Sequence, residues 1–145
     1  MKALLTAFIM FVSAFFLSAP AQAQQAPNEQ VTIFPAAVQT ATTLNSNDQQ
    51  NASWKGLHLV INVSAFTSGT YTVNIQGKDA FGNYYTILSS AALAATGVVV
   101  LKIYPAETVA ANLSVSDFLP AVWRVQLVGA TTPNMTISVD ANLSY

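Results

Sequence analysis

Apolar and polar residues alternate along several short stretches of this chain, and this pattern restricts the fold more than any other feature. Between residues 56 and 63, every second residue is a large aliphatic one. A similar spacing recurs in the stretches 71–75, 98–104, 123–127 and 135–139. Because successive side chains of a strand point to opposite faces, a period of two is typical of strands with one buried face. No amphipathic helix and no internal repeat competes with this interpretation.

Residues with turn chemistry separate the alternating stretches. The run 77–83 contains two glycines, an aspartate and an asparagine, and it lies between the stretch 71–75 and another apolar stretch at 84–88. This order predicts a β-hairpin with a longer loop. With about seven strands in all, the pattern predicts an all-β protein: a single antiparallel β-sandwich of jelly-roll or immunoglobulin-like strand order, or an open barrel.

The segment before the alternating stretches is polar. Residues 24–53 are rich in Gln, Thr, Asn and Ser, and their short apolar run 31–34 is followed by Pro35. Proline has no backbone N–H, so we predict that it ends a short strand there. Residues 24–53 are then a polar leader or arm with one short strand, and the β-sandwich domain covers residues 54–145.

The first 23 residues have the pattern of a signal peptide. Lys2 is followed by an almost unbroken apolar run from residue 3 to 17, and Ala21 and Ala23 place small residues before a cleavage point. We predict cleavage after Ala23 and export to the periplasm, the cell surface or the medium. The alternative is an uncleaved membrane anchor; after cleavage we expect no membrane span.

The composition excludes several classes of function. The chain has 145 residues, no cysteine, one histidine and five lysine or arginine residues. Without cysteine there is no disulfide framework, thiolate metal site or cysteine nucleophile. Five basic residues are too few for the positive surface that nucleic acid binding requires, so we expect no nucleic acid partner.

Catalytic groups are not recognisable in the sequence. His58 is the one histidine, and the alternation places it on the face opposite Leu57 and Leu59, so we expect it at the surface. No serine lies in a Gly-x-Ser-x-Gly motif, and the six acidic residues are scattered singly. We therefore predict a protein that is not an enzyme, with no catalytic residue, metal or cofactor.

Four residues are candidates for contact with a ligand or partner: Trp54, Tyr85, Lys78 and Asp79. Tyr84 and Tyr85 are adjacent, so a strand would point one toward the core and the other outward. An exposed tyrosine beside Trp54 or Tyr71 could form a platform on which a sugar ring stacks.

The loop that contains Lys78 and Asp79 allows two interpretations. Asp79 and Asn83 could bind calcium through oxygen ligands, but the loop lacks the dense acidic spacing of strong calcium loops. A turn stabilised by hydrogen bonds of the Asp79 side chain to nearby backbone groups is favoured.

Several motifs resemble a widespread group of small phage-encoded proteins, most of them without an assigned activity. The resemblance covers roughly residues 54–128. It rests on Lys55-Gly56-Leu57-His58-Leu59-Val60-Ile61-Asn62-Val63, Ile75-Gln76-Gly77-Lys78-Asp79, Tyr84-Tyr85-Thr86-Ile87-Leu88, Val100-Leu101-Lys102-Ile103-Tyr104-Pro105, Asp117-Phe118-Leu119-Pro120 and Trp123-Arg124-Val125. It implies a virion structural part such as a head decoration or tail component, and it supplies no functional residues. A signal peptide implies either an exported viral component or a cellular protein of the envelope or surface.

The leading hypothesis is a non-enzymatic structural protein that self-assembles or decorates a larger particle, fibre or envelope layer. Its partners would be copies of itself or a larger protein assembly. Uncharged polar residues on the outward strand positions would let such surfaces pack with little charge desolvation. The alternative is a secreted module that recognises a glycan or another surface polymer.

Overall fold

The computed structural model describes residues 28–145, which form one eight-stranded sheet without any helix. The prediction of an all-β protein is confirmed. The strands are β1 (Glu29–Gln39), β2 (Thr43–Asn45), β3 (Gln49–Gln50), β4 (Gly56–Lys78), β5 (Tyr84–Ser89), β6 (Gly97–Ile103), β7 (Ser114–Val115) and β8 (Val122–Ser144).

Two long strands, β4 and β8, organise the sheet. Each has 23 residues, and they pair antiparallel from Gly56 opposite Ser144 to Gly77 opposite Trp123. The first half of β4 also pairs with β6, and the second half pairs with β5. The second half of β8 pairs with β1, whereas its first half pairs with β2 and β3. Two groups of strands therefore share the same central pair.

The central pair is irregular at mid-length, where these two groups meet. The register between β4 and β8 shifts near Ala65, Ser68 and Thr70. Gly69 has a φ of 72°, and a Cβ added there would lie 2.5 Å from the Cα of Pro133. Glycine satisfies both the left-handed conformation and this close approach of two backbones. Such irregularities bend a strand, so each half pairs with its own neighbours.

The residues that the alternation points inward form the core. One hydrophobic cluster includes side chains from both halves of β4 and β8. Its fully buried members include Leu57, Leu59, Ile61, Tyr71, Val73, Ile75, Leu101, Ile103, Trp123, Val125, Leu127, Met135, Ile137 and Val139. The polar tip of Tyr71 is also satisfied, because its hydroxyl donates to the carbonyl of Ala41 at 2.6 Å.

Two features differ from the sequence-based prediction. Six of the seven strand pairings are antiparallel, but β6 and β7 pair in parallel, so the sheet is mixed. The polar segment before β4 holds three strands rather than one, and all three pair with β8. In contrast, the predicted hairpin of β4 and β5 is present.

Pro35 does not end β1, because this strand lies at the edge of the sheet and pairs only with β8 among the described residues. A proline is tolerated in an edge strand, because on the open side no neighbouring strand needs an N–H donor from it. The predicted signal peptide lies outside the described residues. Within residues 28–145 no helix has the length and apolar character needed to cross a membrane.

Candidate functional site

A row of polar side chains crosses four strands on the outward face of the sheet. Ser89 of β5 donates to Asn74 of β4 at 2.8 Å, and Asn74 donates to Gln126 of β8 at 3.3 Å. Gln126 in turn donates to Asn45 of β2 at 3.0 Å. The strand register places these residues opposite one another, which lets the amide groups form a continuous chain of hydrogen bonds.

Further hydrogen bonds link this row of polar side chains to Arg124. Gln76 is almost fully buried, and its amide nitrogen donates to Gln126 at 3.3 Å. Arg124 donates from Nε to the side-chain oxygen of Gln76 at 2.9 Å. The guanidinium carbon of Arg124 lies 3.4 Å from the centre of the Tyr84 ring, a cation–π contact.

The network ends in an ion pair at the start of the β4–β5 turn. Asp48 accepts from Lys78 Nζ at 2.6 Å and from the Tyr84 hydroxyl at 2.7 Å. The bonds from Lys78 and then Tyr84 lower the pKa of the Asp48 carboxyl below its usual value. The same bond with Asp48 raises the pKa of the Lys78 ammonium. We call the residues that these contacts connect the polar network. They are Ser89, Asn74, Gln126, Asn45, Gln76, Arg124, Tyr84, Asp48 and Lys78.

Asp79 stabilises the turn between β4 and β5. Its Oδ1 accepts from the backbone N–H of Phe81 at 2.9 Å and of Asn83 at 2.8 Å, and its Oδ2 accepts from the Asn83 amide at 3.0 Å. The Asn83 side-chain and backbone bonds are the main causes of a lowered Asp79 pKa. The favoured prediction of a turn held by this carboxylate is confirmed.

Trp54 lies against the core. It is only 9% exposed, its Nε1 donates to Glu29 at 3.2 Å, and its ring centre lies 4.4 Å from that of Tyr145. Tyr71 is fully buried. Neither residue is therefore exposed beside Tyr85, so the structure does not form the sugar-stacking platform that the sequence suggested.

The two adjacent tyrosines differ from the prediction in one respect. Tyr85 is 49% exposed, as expected for the outward one, but Tyr84 lies over Arg124 in the polar network and not in the core. The prediction that one of them packs in the core is wrong. The reason is that β5 lies beside the second half of β4, and the register places Tyr84 next to the Lys78 side chain.

Three exposed aromatic residues lie at the end of the molecule that carries the β4–β5 turn. They are Phe81, Tyr85 and Phe118, with exposed fractions of 92%, 49% and 68%. The tip of the Tyr85 ring and the ring of Pro120 both lie within 3 Å of the point where a Cβ of Gly77 would stand. The segment that contains Phe118 therefore reaches the same end of the sheet as Tyr85. We call these three residues the aromatic end.

Sequence reasoning selected Tyr85 but missed Phe81 and Phe118. A signal was present, because both phenylalanines stand in segments without alternation: the predicted loop 77–83 and the connection before Pro120. A large apolar side chain in such a segment has no strand face that directs it inward.

The histidine and the acidic side chains of residues 28–145 are not grouped at one site. His58 is exposed on β4 and stands opposite Lys102 on β6 and Asn142 on β8. Its predicted surface position is confirmed. Among residues 28–145, no group of three or more histidine, aspartate or glutamate side chains is placed to hold a metal ion.

Comparisons with known proteins give one structural neighbour. No protein-family model matches the chain, and no curated protein matches it. A solved structure that is similar to it is the crystal structure of the SPBc2 prophage-derived protein YomS. The two chains share 11% sequence identity with a TM-score of 0.46, and the match covers 81% of this chain and 94% of YomS.

Proposed function

We propose that this protein is a non-enzymatic structural component that acts by contact with other protein subunits. It would do so by self-assembly or by decorating a larger particle, fibre or envelope layer, as a virion component does. We also propose that the two groups of strands face each other as layers of a β-sandwich. Among residues 28–145, one hydrophobic cluster takes side chains from both halves of β4 and β8, and this supports that arrangement.

The aromatic end is the observation that carries the assembly proposal. Protein interfaces are enriched in aromatic side chains, and a group of exposed large apolar residues is typical of a contact surface. Tyr85 is held in place against Gly77 beside Pro120, so its position is defined before a partner binds. A surface that is ordered in advance loses less conformational entropy on association.

Three charged side chains near the β4–β5 turn are already engaged. Lys78 is paired with Asp48, and Asp79 is occupied by the backbone of its own turn. A partner can therefore cover the aromatic end without breaking the ion pair of Lys78 and Asp48.

These contacts favour a protein partner over the secreted glycan-binding module. Of the aromatic residues proposed for sugar stacking, Trp54 and Tyr71 are buried, which leaves Tyr85 without a second exposed tryptophan or tyrosine from that group. Phe81 and Phe118 offer apolar area without a polar atom, which suits burial against another protein.

The test is the oligomeric state and particle association of the protein as its producing cell exports it. Light scattering coupled to size exclusion, with electron microscopy, should show assemblies or particle-bound protein. The double variant Phe81→Ser/Phe118→Ser should no longer bind particles or form large assemblies, and it should keep the β-type circular dichroism spectrum. The matched control is Val38→Ser, because Val38 is 64% exposed on β1.

A protein that stays monomeric and does not sediment with particles of the producing strain would contradict the proposal. Glycan-array binding that Tyr85→Ala removes would support the secreted binding module in its place.

A further inference from the structure

One edge of the sheet is open beside β6. The N–H of Lys102 donates to the carbonyl of Leu113, and β7 covers β6 at Lys102 and Ile103. Backbone groups two residues apart in a strand point to the same side. Val98 and Val100 therefore direct their N–H and C=O groups away from β4, toward a side where the described residues place no strand. We call residues 97–101 the β6 edge.

The β6 edge lacks the features that protect another edge of this sheet. The outer strand β1 contains Pro35, two register irregularities and the charged Glu29. Natural proteins use prolines, irregularities and charges at edges to prevent pairing with other chains. The β6 edge has the sequence Gly-Val-Val-Val-Leu, and its register with β4 is continuous. It is a regular, uncharged edge that can accept another strand.

Accessible apolar side chains lie along this edge. Val98 is 62% exposed, and Leu113, at the end of the segment that covers Lys102, is 49% exposed. A shallow cavity of about 300 Å³ is lined partly by Leu93, Val98 and Val99. Another of about 320 Å³ is lined by Val100 and Leu113 and, farther from Val99, by Lys102 and Glu107, whose charges are opposite. The incoming strand would therefore gain side-chain contacts as well as backbone hydrogen bonds.

Charge favours a second copy of this chain as the occupant. No lysine, arginine, histidine, aspartate or glutamate occurs from residue 80 to 101. In a two-fold dimer the same patch meets itself, so any charge on the axis would face a like charge. The β6 edge can meet its own copy without that repulsion. Three consecutive valines also present the same side chains in either strand direction.

We propose that β6 pairs antiparallel with β6 of a second copy around a two-fold axis at Val99. Val98 then lies opposite Val100 of the partner subunit, and each such pair exchanges two backbone hydrogen bonds. Val99 lies opposite its own counterpart, in the closer, non-hydrogen-bonded type of pair. The pairing rests on the proposed function, because it adds to the aromatic end a second contact surface, one that joins two copies of this chain.

The register is tested by a disulfide, because the native chain has no cysteine. Val99→Cys places two thiols in the non-hydrogen-bonded pair, within the Cα separation that a disulfide needs. Under mild oxidation, the exported protein carrying Val99→Cys should form the covalent dimer about tenfold faster or more than Val38→Cys, since pairing raises the effective thiol concentration. Equal rates for the two variants would overturn the proposed register.

The surface is tested by Val98→Lys, which places like charges close together across the axis. Because Val98 is exposed in the single subunit, the lysine does not bury a charge there. At about 100 μM the unmodified exported protein should contain dimer by light scattering, as expected for a short, weak contact. Val98→Lys should shift it to monomer, and the control Val38→Lys should not.

The outcomes separate this inference from the proposed function. If Val98→Lys stays associated while Phe81→Ser/Phe118→Ser dissociates, assembly holds and β6 pairing is wrong. If the unmodified protein neither associates with itself nor sediments with particles, both proposals fail. Dimers in Val98→Lys at the level of the unmodified protein also overturn β6 pairing.

Discussion

At the scale of single residues, Asp48 shows how the short strands β2 and β3 are connected to the rest of the sheet. The carboxylate lies between them and binds Lys78 at the end of β4 and Tyr84 at the start of β5. It therefore joins strands that are far apart in sequence. Its sequence context, Asn47-Asp48-Gln49, resembles any polar loop, and this explains why the sequence did not identify it.

The ion pair of Asp48 makes stability depend on pH. The pKa of the Asp48 carboxyl in the folded protein lies below its ordinary value of 3.8. Its stabilising effect is therefore present above that unfolded-state value and is lost as the pH falls through the lower folded-state pKa. We expect Asp48→Asn to unfold at lower denaturant concentration than the unmodified protein at pH 7, with the difference disappearing toward pH 2.

Urea unfolding followed by circular dichroism at a series of pH values measures this difference. Lys78→Met serves as the matched variant, because it removes the first cause of the lowered pKa and leaves the carboxylate in place. A difference between Asp48→Asn and the unmodified protein that is constant from pH 7 to pH 2 would contradict the assignment.

At the scale of strands, alternation predicted which side chains are buried because the period of two is a property of the strand backbone itself. Leu127 is fully buried and its neighbour Val128 is 37% exposed, although both are aliphatic residues of β8. The face of the strand, and not hydrophobicity alone, decides their environment.

This difference predicts unequal effects of truncation to alanine. Leu127→Ala should lower the free energy of unfolding by about 2–5 kcal/mol, because it removes buried methyl groups and leaves a cavity. Val128→Ala should change it by about 0.5 kcal/mol or less, as is usual for surface positions. Urea denaturation of both variants at pH 7 measures the two effects, and similar losses of stability would show that the assigned faces are wrong.

The first strand shows where local patterns fail. β1 extends through Pro35 to Gln39, although the sequence suggested a stop at the proline. A proline prevents pairing on the side of its missing N–H, but at a sheet edge that side needs no partner. Whether a strand lies at an edge depends on which other strands surround it, and local sequence does not contain that information.

At the scale of the whole molecule, the order of strands in the sheet is not the order in the chain. The path β1-β8-β4-β6-β7 places the first strand beside the last, and the register joins Glu29 to Leu143. Contacts between residues so far apart in sequence form only when the whole chain folds. We therefore expect the described sheet to unfold as one cooperative unit.

The predicted export of the protein also concerns the whole molecule, because cleavage after Ala23 would remove residues 1–23 from the mature chain. Expression of all 145 residues in a host that processes signal peptides should give an exported product that begins at Gln24. Intact-mass spectrometry of the purified product reads this N-terminus directly. Ala23→Leu, which places a large residue at the last position before the cut, should leave the segment attached, and cleavage elsewhere would contradict the prediction.

The sequence by itself determined the all-β class, the inward faces of the alternating stretches, the β4–β5 hairpin and the carboxylate-stabilised turn. These features depend on neighbouring residues and on the geometry of the strand backbone. The tertiary structure decided the parallel pairing of β7, the position of Tyr84 over Arg124, the aromatic end and the open β6 edge. Each of these depends on which distant segments become neighbours, and that is set by packing of the whole core.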